Sequence, residues 1–255
     1  MTSPDLDILM PGLALLLTAP VLQVFAALLL AHVLADFLLQ TRGMVENKGH
    51  VLVMALHGSI VFALSALALG GVWQVAMLVA AAHLLIDMVK VLWRRAGRQD
   101  GLTLFLGDQV AHVVTLMAAA LLWPGAIAAG WWADQASVLT TPALFLSGLV
   151  LTITAGGFAV GLLTARYRRE MTDESLPDAG RLIGQLERFL IFVLVMIGET
   201  AGIGFLIAAK SILRFDTASQ GQKAGEYVII GTLASFSWAL AMSHATRALI
   251  TLPLP

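Results

Sequence analysis

Apolar residues run along this chain in long blocks rather than in short alternating stretches. The first reads VLQVFAALLLAHVLADFLLQ from Val21 to Gln40, and comparable runs cover about Val51–Leu69, Val72–Trp93, Leu104–Trp123, Ala143–Ala165, Leu186–Ala209 and Tyr227–Ile250. Each holds about 20 residues, enough at 1.5 Å per residue to cross the ~30 Å hydrocarbon layer of a bilayer. The pattern predicts an all-α, polytopic transmembrane helical bundle of about seven spans. The first apolar stretch begins earlier, near Ile8, and 8–40 is ~50 Å long, too much for one crossing and too little for two. Pro20 lacks a backbone donor and supplies a break there, leaving 8–19 as an interfacial or re-entrant segment. Two halves are expected. Residues 1–125 hold that segment and four spans; 126–255 hold three spans and a polar cytoplasmic loop at 166–181, punctuated by Pro177 and Gly180.

Composition agrees with a bilayer as solvent. The 255 residues are 59% hydrophobic and 12% charged, against about 25% charged in ordinary soluble chains, and the mean hydropathy is +0.88. A net charge of −1 leaves no basic footprint for nucleic acid. Cysteine is absent, which excludes thiolate metal sites and cysteine nucleophiles. Lys and Arg set the orientation. Arg42 and Lys48 follow span 1; Lys90, Arg94, Arg95 and Arg98 follow span 3; Arg166, Arg168, Arg169, Arg181 and Arg188 follow span 5. The opposite connections hold only Lys210, Arg214 and Lys223. Basic residues mark the cytoplasmic side, so the N-terminus is expected outside and the C-terminus in the cytoplasm. Trp73, Trp93, Trp123, Trp131 and Trp132 sit near span ends, as interfacial aromatics do.

The candidate chemistry lies in ionisable residues that the hydropathy forces into the membrane. Span 1 carries His32 and Asp36, span 3 carries His83 and Asp87, and span 4 carries Asp108 and His112 in reverse order. Each pair is four residues apart, on one helix face about one turn apart. Because span 4 runs opposite to spans 1 and 3, the reversal puts every Asp about 6 Å nearer the cytoplasm than its His. His57 on span 2 lies at a similar depth. A layer of four imidazoles above a layer of three carboxylates is expected. The 51-residue offset of both His32/His83 and Asp36/Asp87 adds a weak internal repeat.

Three intramembrane aspartates cost on the order of 8–10 kcal/mol, against a typical folding stability of about 5–15. One or two bound divalent cations, Zn²⁺, Mn²⁺ or Fe²⁺ by the mixed imidazole and carboxylate ligands, would offset that. His32, Asp36, His57, His83, Asp87, Asp108 and His112 are the candidate ligands. Asp36, Asp87 and Asp108 are also candidates for orienting ligands or acting as general base. Gln40, Arg42, Lys48 and Gln109 are candidate contacts for a phosphate-bearing or amphipathic lipid substrate at the cytoplasmic rim. The function this suggests is metal-dependent hydrolysis or phosphoryl transfer. A metal-ion or proton-coupled transporter using the same residues, continued through Glu199, is one alternative, and a structural polar core is another. Bis-histidine haem ligation leaves the aspartates unexplained. Gly157-x-x-x-Gly161 and Gly198-x-x-x-Gly202 read as close helix packing. Gly-x-Ser-x-Gly, phosphate-loop and His-Glu-x-x-His motifs are lacking, which excludes those routes to catalysis.

Over roughly Leu28–Val114 the ordered set AHVLADFLLQ, Lys48, His57, HLLID and GDQVAH resembles the bacterial integral membrane proteins grouped as domain of unknown function 3307. GRLIGQLERFLIF, GFLIAAKSILRF and EYVIIGTLAS look like the tail of longer members. The resemblance implies a multi-pass protein of the bacterial inner membrane and assigns no activity.

Overall fold

The computed structural model describes residues 18–97, 101–168, 179–213 and 222–253. Residues 8–17 of the expected interfacial segment and 169–178 of the 166–181 loop lie outside them. The described elements are helical: α1 (Ala19–Leu34, continued by a π-helical turn, Ala35–Leu39), α2 (Arg42–Glu46), α3 (Val51–Ala68), α4 (Trp73–Arg95), α5 (Leu102–Leu122), α6 (Ala136–Val150, continued by a second π-helical turn, Leu151–Ala155), α7 (Gly156–Arg168), α8 (Ala179–Ile197), α9 (Ala201–Leu213) and α10 (Gln222–Ile250). Pro20 sits in the first turn of α1, where a missing N–H is no loss. Six stretches are long and apolar enough to cross a bilayer: Ala19–Leu39, Val51–Ala68, Trp73–Arg95, Leu102–Leu122, Ala133–Tyr167 and Gly225–Ile250.

The expected crossing at 186–209 is not a continuous helix. Gly198 adopts φ 84°, a left-handed conformation that glycine takes without a Cβ penalty. The amides of Gly198 and Glu199 donate back to the carbonyls of Val195 and Leu194 at 3.2 and 2.9 Å, closing α8. α9 then doubles back, because Lys210 Nζ lies 2.6 Å from Glu187 Oε2. In one straight helix those residues would be about 35 Å apart. The expectation of seven spans with termini on opposite sides rested on that crossing. Of the glycine pairs read as packing motifs, Gly161 has open space where a Cβ would go, and Gly198 ends a helix.

The chain divides into two compact units, 148–248 and the remainder. Within 148–248, Ile191, Val195, Ile203, Phe236 and Ala239 form an apolar core. The π-helical turn frees carbonyls that other helices satisfy: Trp238 Nε1 donates to Leu151 O at 2.9 Å, and Arg188 Nε to Ile153 O at 3.1 Å. Arg188 Nη1 also donates to Ser235 Oγ at 3.1 Å.

In the other unit, α1, α3, α4 and α5 alternate in direction and close a ring, α1 against α3, α3 against α4, α4 against α5, and α5 back against α1. Small side chains let the backbones approach: Ala26, Ala31 and Ala35 on α1, Ala76 and Ala80 on α4, and Ala119 and Ala120 on α5 are buried. Gly58 adds a close approach of its own. A Cβ there would sit 2.6 Å from Leu84 Cδ1 and 3.1 Å from its Cγ, so a larger residue must displace the Leu84 side chain where α3 meets α4 beside His57. Gly58→Val is expected to destabilise the protein by about 1–3 kcal/mol, read as a lower melting temperature in detergent. Adding Leu84→Ala should recover part of the loss.

Candidate metal centre

Four helices of the ring each contribute a histidine to one point in its interior. His32 comes from α1, His57 from α3, His83 from α4 and His112 from α5, and all four are buried. The His32 and His112 rings stack with centroids 4.9 Å apart; His83 is 4.1 Å from His112 and 5.1 Å from His57. Asp36 falls within the π-helical turn of α1. That widened turn, a distortion common at functional sites, carries its carboxylate to α3 and α4: Oδ1 lies 3.2 Å from both His57 Nε2 and His83 Nε2. Asp87, also buried, holds Oδ2 at 3.5 and 3.6 Å from the same two nitrogens, which are 3.0 Å apart.

The carboxylate contacts are not hydrogen bonds, since Asp36 Oδ1 and Asp87 Oδ2 are buried without a partner, whereas the 3.0–3.2 Å separations suit the ~3.3 Å edge of a tetrahedral site with ~2.0–2.1 Å bonds. The placement of protons separates candidate ligands from their supports. His112 Nδ1 lies 2.8 Å from the Asp108 carbonyl one turn back. An oxygen there can only accept, so Nδ1 carries the proton and Nε2 a lone pair; Nε2 is buried without a partner. Gln109 Nε2 donates to Asp108 Oδ2 at 3.2 Å, which turns Gln109 Oε1 toward His32 Nε2 at 3.3 Å. His32 therefore protonates Nε2 and keeps a lone pair on Nδ1, also buried and without a partner. His57 behaves differently. Its Nδ1 is buried without a partner, and its Nε2 faces both the Gln40 amide nitrogen at 3.1 Å, which can only donate, and the Asp36 and Asp87 oxygens, which can only accept.

Three groups have one ligand atom per residue within 4.8 Å of one another: His32, Asp36, His83 and His112; His57, His83 and Asp87; and Asp87, Asp108 and His112. Together they contain all seven residues singled out from the sequence. The first group contains both lone-pair histidines plus a carboxylate, a nitrogen-rich donor set that fits a divalent transition metal.

The rim residues separate sharply. Gln40 Nε2 lies 3.1 Å from His57 Nε2. Lys48 is 7% exposed and its Nζ donates to Asp87 Oδ1 at 2.6 Å. Arg42 stands apart: its side chain is 92% exposed and pairs with Glu46 on its own helix at 2.8 Å. Lys90, a basic residue of the rim in the sequence, is a further member of the cluster. It donates to Asp108 Oδ2 at 2.8 Å. The available signal was its position one turn past Asp87, inside span 3 beside a carboxylate layer. Three carboxylates and two ammonium groups leave this buried cluster at −1 with neutral imidazoles.

Residues 24–139 match the model of the family described as "Protein of unknown function (DUF3307)", a stretch that contains all seven His and Asp residues and both lysines. No curated protein matches the chain, and no solved structure does. Replacing Gln109 with leucine strands the His32 N–H and one Asp108 oxygen contact, and is expected to destabilise by about 1–3 kcal/mol. Nitrogen-15 chemical shifts should report His32 as the Nε2–H tautomer in the wild type and a mixture in that variant.

Proposed function

We propose that the α1/α3/α4/α5 unit holds one divalent ion, Zn²⁺, Mn²⁺ or Fe²⁺, and uses it for hydrolysis or phosphoryl transfer on an amphipathic, phosphate-bearing or lipid-linked substrate at one face of the membrane. The observation that carries this reading is the one-sidedness of the polar interior. Toward the 41–50 and 96–101 connections, the His and Asp cluster continues into Gln40, Lys48, Lys90 and Gln109. Toward the other end, the buried side chains of these four helices are apolar apart from Ser65 among the described residues, with Val24, Phe25, Leu28, Val61, Val75, Ala76, Leu116 and Ala119 filling the core. A transport route needs polar groups through both halves, whereas a reaction on an interfacial substrate needs only one open end. Glu199, considered above as a continuation of such a route, is an exposed residue of the turn after α8, within 148–248.

In this reading His32, Asp36, His83 and His112 are the ligands. His57 and Asp87 hold the carboxylate and imidazole orientations, and Gln109 fixes the His32 tautomer. Asp108 keeps Oδ2 engaged by Lys90 and Gln109 while Oδ1, buried without a partner, accepts a proton as general base. Gln40 and Lys48 meet the substrate where the cluster opens, and Arg42 takes no part. When bound, the ion supplies Lewis acidity toward a phosphoryl or carbonyl oxygen and activates water. A dication brings the buried charge from −1 to +1, which favours an anionic substrate oxygen over a neutral one. The polar end is rich in Lys and Arg while the 69–72 and 123–135 connections have none, so in this reading it faces the cytoplasm of a bacterium whose inner membrane holds the protein.

Elemental analysis, followed by phosphate release from lipid-phosphate vesicles and Mn²⁺ flux in proteoliposomes, tests this. Asp36→Ala and His83→Ala should lose bound metal by at least about 10–100-fold in affinity and lose turnover with it, whereas Arg42→Ala should change neither. Mn²⁺ flux that depends on the same residues, without turnover, would overturn the enzymatic reading.

A further inference from the structure

Seven ligand-type side chains exceed what one ion needs, and the third of the three groups, Asp87, Asp108 and His112, shares only His112 with the set assigned above. By ligand count alone it is a second ion's place. Both of its carboxylates are engaged by lysines: Lys48 Nζ is 2.6 Å from Asp87 Oδ1, and Lys90 Nζ is 2.8 Å from Asp108 Oδ2. Asp36, in the first group, has no Lys or Arg partner among the described residues. The ammonium groups are therefore distributed selectively, one to each carboxylate of the third group and none to the first.

Lys48 makes the selectivity harder to dismiss as surface charge. It is the one buried residue of the otherwise exposed or half-exposed 41–50 connection, so that segment sends a single side chain into the cluster. Arg95 Nη2 donates to the adjacent Gly49 carbonyl at 3.0 Å and holds the connection against α4.

We infer that Lys48 and Lys90 stand in for a second cation, limiting this centre to one divalent ion. The inference rests on the metal reading above and extends it to stoichiometry. Two ammonium charges equal one dication. With the lysines present, a first ion leaves the buried cluster at +1, and a second would raise it to +3 in a low-dielectric interior where uncompensated charge is strongly unfavourable. Without the lysines, two dications against three carboxylates return to +1. Asp87 Oδ2 and Asp108 Oδ1 are already without a hydrogen-bond partner, so removing the lysines frees both oxygens of each aspartate for a second ion, the His112 Nε2 lone pair remaining with the first.

The test counts Mn²⁺ on the full chain in detergent, by mass spectrometry of the metal and by electron paramagnetic resonance. Wild type and Lys48→Arg/Lys90→Arg, which keeps both charges, should bind about one ion per chain with the spectrum of isolated Mn²⁺. Lys48→Gln/Lys90→Gln should bind about two and show exchange coupling between neighbouring ions. If the double glutamine variant does not purify as a single folded species, Lys48→Gln alone should raise the count above one at millimolar Mn²⁺. Two ions on the wild type or on the arginine variant, or one ion on every glutamine variant, would overturn the inference while leaving the metal centre standing. No Mn²⁺ on the wild type would instead overturn the metal centre itself.

Discussion

Charge placed in the interior of a bilayer must be balanced within the protein, because neither lipid nor water is there to do it. The four-helix ring is organised around that requirement. Its three aspartates are spread over three helices, and each is balanced differently. Asp87 and Asp108 are matched by ammonium groups from a connecting segment and from α4. Asp36 faces only imidazoles, and so the remaining negative charge of the cluster is concentrated where the histidines converge. That asymmetry gives the interior an address for a cation instead of a uniformly neutral polar core.

Local backbone geometry decides whether the side chains can exploit it. A regular helix would keep Asp36 stacked over His32 on its own face. The π-helical turn at Ala35–Leu39 displaces it toward α3 and α4, where two imidazole nitrogens meet its carboxylate. Gly58 permits α3 to approach α4 at the same level. The hydrogen bonds of Gln109 and of the Asp108 carbonyl then settle which nitrogen of His32 and His112 carries a lone pair. Side-chain position, helix approach and tautomer are thus set by three separate features. A similar use of widened helical turns recurs in 148–248, where carbonyls released at Leu151 and Ile153 take up Trp238 and Arg188. There the outcome is a satisfied helix contact with no convergence of titratable groups.

What the amino-acid order determined by itself was the class of solvent and the coincidence in depth. Hydropathy is a property of composition over about 20 residues, so the spans at 19–39, 51–68, 73–95 and 102–122 were legible to within a few positions. The inverted order of Asp108 and His112 on an antiparallel span matched the order of His and Asp on spans 1 and 3, so the three pairs could be expected to face one another. Tertiary structure alone decided the rest. A residue's depth follows from its index along a helix, but its partner depends on rotation about the helix axis and on local departures from regular winding. Neither has a reliable signature in a uniformly apolar segment. That is why Lys48, expected to contact substrate, and Lys90, expected to mark the basic side, are counter-ions of particular aspartates, and why Arg42, of the same charge and only six residues before Lys48, lies outside. It is also why the 186–209 block read as one span: its hydropathy is continuous, while the left-handed backbone at Gly198, which folds it back on itself, is a property of a single residue that an averaging window cannot see.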